Sequence, residues 1–249
     1  MFEVMAAVGG GLFVLASLVV GGRLVWLSRR TRGLPEFVLG AGLFLMGGVG
    51  YPLMAVAING HGLADSTRAA FVGGQMLTTL LGMGGVAWFT VRVFRPREAW
   101  ALSFWLALVA SYGAVGTAQL LGPGLLAFAL DPQSSPWRVT NYLSIVVMSW
   151  AGIEAVRYWL MLRKRLALGL ADPVVTDRFR LWAIAILTSD AISVISAGFE
   201  ATGVKMIGTA AGGIVVGALG LVAAAALWLA FVPNEAYLER VRRQAAGRA

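Results

Sequence analysis

Apolar residues run along this chain in seven long stretches, each closed by charges, proline or a glycine-rich turn. The stretches occupy about 4–27, 36–58, 70–93, 99–121, 139–162, 180–203 and 207–232. In helical form, about 20 such residues at 1.5 Å each cross the roughly 30 Å hydrocarbon core of a bilayer. The pattern therefore predicts an all-α integral membrane protein, a seven-transmembrane-helix bundle over residues 1–232 followed by a short basic tail at 233–249. The longest connection, about 122–138, is too short for a soluble domain, so one membrane domain accounts for the chain. Composition agrees: 59% hydrophobic and 13% charged residues exclude a soluble globule, which carries about 45–50% and 25%.

Charge sets the expected orientation. Lys and Arg accumulate in short cytoplasmic loops, and fifteen of the twenty basic residues fall after spans one, three and five or in the tail. The opposite side holds Arg68, Arg138 and Lys205. This predicts an outside N-terminus, a cytoplasmic C-terminus and a multi-pass protein of a bacterial inner membrane. Seven of the nine tryptophans, Trp26 and Trp159 among them, stand toward the same basic ends, where an indole suits the headgroup level. Trp150, near the middle of span five, is expected to face lipid or pack in the core rather than line a cavity. The start Met-Phe-Glu-Val lacks a basic leader region, so the first span reads as a retained helix rather than a signal peptide. The net charge of +8 is explained by loops facing anionic lipid; no nucleic-acid partner is expected, because no basic run is interleaved with aromatics.

Small residues indicate close helix packing. Gly208/Gly212 and Gly213/Gly217 put two small faces on span seven, expected to serve contacts within the chain. Two basic-aromatic stretches, around Arg23 and Arg157, and two glycine pairs, Gly73-Gly74 and Gly212-Gly213, recur at offsets of 134 to 140 residues. They raise the expectation of a 3+1+3 parallel repeat, spans one to three matching five to seven.

Absence of cysteine removes thiolate chemistry and Cys-ligated metals, and a single histidine, His61 in a glycine-flanked turn, removes His-pair sites. No catalytic residues, metal or enzyme activity are expected. Seven spans with this orientation resemble retinal proteins in topology alone, and the seventh span has no lysine to form a Schiff base, so no cofactor is expected either.

Ionisable side chains inside a membrane are costly and mark the places to look for function. Asp190 lies near the centre of span six, Glu154 in span five, and Arg157 one turn after Glu154, within reach of either carboxylate. These three form the candidate intramembrane site. Ser189, Ser193, Ser196 and Glu200 share one stripe of span six. With Gln75, Thr78, Thr79, Tyr51, Asn141 and Ser144, they predict a polar vestibule open to the outside. The functional expectation is a sensor or receptor-like module, or a membrane-assembly subunit, that binds a small molecule or lipid in this cavity and a protein partner at its basic face. The alternative is a small proton-coupled transporter or channel using Asp190 and Glu154.

Overall fold

The computed structural model describes residues 2–121, 135–203, 206 and 209–246. Lys205, Gly208, Arg248 and most of the 122–138 connection lie outside the described residues. The described residues form helices and short turns, with no strand among them. We label the helices α1 (Phe2–Thr31), α2 (Leu34–Asn59), α3 (Asp65–Phe94), α4 (Ala99–Leu121), α5 (Ser135–Ala167), α6 (Pro173–Ala201), α7 (Ala210–Phe231) and α8 (Glu235–Ala246). The first seven are long and apolar enough to cross a membrane. α7, with 22 residues, spans about 33 Å.

Local chemistry places the ends. α1 stops where Arg32 adopts a left-handed backbone, φ 52°, and Pro35 opens α2. Asp172 caps α6, its Oδ1 accepting from the Val175 N–H at 2.9 Å, with Pro173 at the first helical position, where its missing N–H costs nothing. Thr209 caps α7 through the Gly212 N–H at 3.0 Å, and Asn234 caps α8 through the Tyr237 N–H at 2.8 Å. α6 thus begins seven residues before the 180 expected from hydropathy, because the helix continues beyond the apolar core. α2 widens to a π-helix over Phe44–Gly50. Pro52 lies just beyond; its ring crowds the carbonyl four residues back and offers no N–H, and a wider turn relieves both.

Six helices close a ring in the order α1, α2, α3, α5, α6, α7 and back to α1, while α4 packs against α3 and α5 from outside. Glycine draws several seams tight. A Cβ on Gly9 would meet the Gly217 carbonyl at 2.6 Å, and one on Gly21 would meet the Gly40 carbonyl at 2.7 Å. Gly217 therefore serves contact within the chain. Toward the basic end aromatic rings fill the interior: Phe89 and Phe231 stand edge-on to Trp182 at 6.1 and 5.8 Å, and Phe94, Tyr158 and Phe179 form a second group. Trp150 packs between α4 and α5, 5.0 Å from Phe104.

The outer surface is apolar in a way water would not tolerate. On α1, Val4, Val8, Leu12, Leu15 and Val19 form one exposed stripe, and such stripes recur on the other long helices. Lipid satisfies them, and a helix leaves no backbone polar group exposed to it. The chain is a polytopic membrane protein with seven candidate spans.

Candidate functional site

α5 and α6 lie along each other and carry two buried carboxylates in different surroundings. Glu154 is 5% exposed. Its Oε1 accepts from Arg95 Nη2 at 2.9 Å and Nε at 3.1 Å, and from Arg157 Nη1 at 3.3 Å. One carboxylate thus faces two guanidiniums. Arg95 is the residue just past α3, so the pair ties α3 to α5; its guanidinium also stands 5.8 Å from the Trp100 ring. Arg157 is the outer partner, its side chain 63% exposed against 29% for Arg95.

Asp190 is equally buried, at 5% exposed, and sits where α6 meets α5. Its Oδ2 accepts from Ser149 Oγ at 2.5 Å, while its Oδ1 is enclosed without a hydrogen-bond partner. α7, which also packs along α6, carries no ionisable residue. Among the described residues no cation pairs with Asp190. The structure therefore divides the expected trio: Arg157 joins Glu154, and Asp190 stands with Ser149.

The polar residues of the expected vestibule bond mostly within their own helices. Gln75 Nε2 donates to Thr79 Oγ1 at 2.9 Å and Thr78 Oγ1 to the Gln75 carbonyl at 2.9 Å. Ser189 Oγ donates to the Ala185 carbonyl and Ser196 Oγ to Glu200 Oε1, at 2.9 and 3.3 Å. Ser144 Oγ donates to the Thr140 carbonyl and lies 2.6 Å from Tyr112 Oη, a contact that joins α5 to α4. Asn141 and Ser193 are half-buried, Glu200 is buried, and Tyr51 is 57% exposed on the outer surface beside Phe13. Two grooves stand out elsewhere, one between the start of α2 and the end of α3 and one along α5 and α6, and these residues line neither.

Sequence reasoning missed three participants. Ser149 is one of many span hydroxyls and carries no mark of its own. Arg95 reads as a loop cation until α3 and α5 are known to be neighbours. Tyr237 docks α8 on α6, its Oη donating to Asp177 Oδ2 at 2.5 Å while Asp177 Oδ1 holds Arg180 Nη2 at 2.6 Å. Burial, reinforced by the Asp177 bond and charge, raises the Tyr237 phenol above its ordinary value, so it stays neutral and keeps donating. Comparison of the chain with family models, with curated proteins and with solved structures finds no match in any of the three.

Proposed function

We propose that this protein is a non-enzymatic sensor or membrane-assembly subunit of a bacterial inner membrane, N-terminus outside and basic end cytoplasmic, with Asp190 as its responsive group. The observation that carries this reading is the unmatched Oδ1 of a buried mid-span carboxyl. A buried acceptor left unpaired costs about 1–3 kcal/mol, more when charged. A species that binds Oδ1, whether a proton, a small cation or a polar ligand, recovers that cost. Because Asp190 lies on the α5–α6 contact and α6 holds α8 through Asp177, a bound and an unbound arrangement of these helices would present different basic faces to a protein partner. Occupancy shifts the balance only through unequal affinity for the two arrangements.

The test is Asp190→Asn in the full chain, followed by thermal unfolding in detergent across pH and monovalent-cation concentration. A folded variant that has lost the pH or cation response of the parent supports the reading, and an unchanged response overturns it. Native mass spectrometry of protein extracted gently from its own membrane would reveal a stoichiometric protein partner.

A second reading, a proton-coupled carrier using Asp190 and Glu154, draws support from the ring itself. α1, α2 and α3 follow one another as α5, α6 and α7 do, and the two threesomes meet at α3–α5 and α7–α1, with α4 outside. That order suits a 3+1+3 parallel repeat whose halves rock against each other. Flux into proteoliposomes that depends on a pH gradient, and is lost in Asp190→Asn, would select this reading over the first.

A further inference from the structure

The groove along α5 and α6 is open to the membrane and has a volume of about 450 Å³, within the 300–1,000 Å³ of small-ligand sites. Its wall is mostly apolar through Val156, Leu187, Ala191 and Leu219 of α7, with the Thr188 hydroxyl among them, and Trp159 and Arg180 make one end polar. That is the basic end. There Arg163, itself outside the lining, stands over the ring of Trp159, 5.6 Å from its centroid, which puts a second guanidinium beside the indole at that end. From Arg180 to Ala191 the groove follows eleven helical residues, or about 16 Å, close to half of a roughly 30 Å hydrocarbon core.

We propose that this groove binds one anionic phospholipid from the leaflet at the basic end, an acyl chain along the apolar wall and the phosphate between Arg180 and Arg163. Length and charge argue together for this occupant. A single acyl chain reaches from headgroup level to the midplane, as the groove does. Arg180 is tied to Asp177 through Nη2, yet its side chain is 46% exposed and a guanidinium offers five donors in a planar fork. Arg163 makes no ion pair among those described and is exposed. The indole N–H of Trp159 suits the headgroup layer. The groove between α2 and α3, lined by Leu34, Pro35, Trp88, Phe89 and Arg92, has a volume of about 250 Å³ and stays at the basic end, so it lacks the run along the bilayer that a chain requires. The proposal is independent of the role of Asp190.

The experiment uses the full chain in detergent, titrated with phosphatidylglycerol or with phosphatidylcholine of the same acyl chains, and read by native mass spectrometry. Arg163→Gln weakens the headgroup contact without touching the Asp177 pair, and Ala191→Phe fills the midplane end of the groove. Each is expected to weaken the first phosphatidylglycerol event by about tenfold, the loss of one charge-assisted contact or of the chain's seat; Arg163→Gln leaves phosphatidylcholine binding as in the parent, whereas Ala191→Phe, which fills a seat open to the chain of either lipid, does not spare it. Thermal unfolding confirms that both variants are folded; Arg163→Lys should retain most of the preference. Equal binding of the two lipids by the parent, or phosphatidylglycerol binding undiminished in both variants, overturns the proposal.

Discussion

Glu154 and Asp190 occupy facing helices and are buried to the same 5% exposure, yet they have been treated oppositely. Glu154 is held by two arginines. Asp190 is given one hydroxyl and an oxygen with nothing to meet. Burial is therefore a poor guide to role in this bundle, and the partner decides. A carboxylate with a close cation is a tie between helices, and its charge is compensated where it stands. A carboxyl without one is left able to take up something from outside the chain.

The comparison breaks most visibly at Glu154. Glu154→Gln leaves Arg95 facing a neutral amide, and loss of one member of a buried pair costs about 3–5 kcal/mol. Partial exposure of Arg95 puts the expected loss near the lower figure, about 3 kcal/mol. The chemically identical change Asp190→Asn should cost less than about 1 kcal/mol, since no cation is stranded. Unfolding of both variants in detergent measures the difference. If Asp190→Asn proved as damaging as Glu154→Gln, Asp190 would be a tie as well. Ser149→Ala comes next in size. It removes the described donor to Asp190 and should cost about 2 kcal/mol if Asp190 depends on that bond, and should cost less in the Asp190→Asn background, where the hydroxyl meets a neutral amide oxygen instead of the carboxylate.

Much of the fold was legible because the features that carry it are local. Seven apolar runs with charged ends need no tertiary knowledge to read, and the Glu154–Arg157 spacing of three residues places both side chains on one helix turn. The Asp172-Pro173 cap is equally local, but the arginines at 178 and 180 drew the edge of the span past it. The decisive contacts were out of reach for a different reason. Arg95 and Glu154 are 59 residues apart, and Ser149 and Asp190 are 41 apart. Each depends on which helices become neighbours and on their rotation about their own axes. In an apolar bundle that rotation is set by glycine contacts such as Gly9 with Gly217, and glycines are too numerous here for any one pair to stand out. The π-helical stretch of α2 was foreshadowed only by Pro52, which marks a disturbance without saying what form it takes.

The finest distinction lies inside the Glu154 cluster, where two arginines share Oε1. If charge count holds the carboxylate, Arg95→Gln and Arg157→Gln should cost about the same. If enclosure holds it, they should not. Arg157 is mostly exposed and three residues from Glu154 along one helix, so solvent screens the pair and its side-chain entropy offsets the gain; its loss should cost about 0.5 kcal/mol or less. Arg95 makes the shorter contact from just past the end of α3 and is largely enclosed, so its loss should cost about 2 kcal/mol at least. A double-mutant cycle over Arg95, Arg157 and Glu154 separates the two couplings. Equal coupling energies would mean that Glu154 needs both charges, and the contrast with Asp190 would then rest on the number of cations rather than on one interhelical tie.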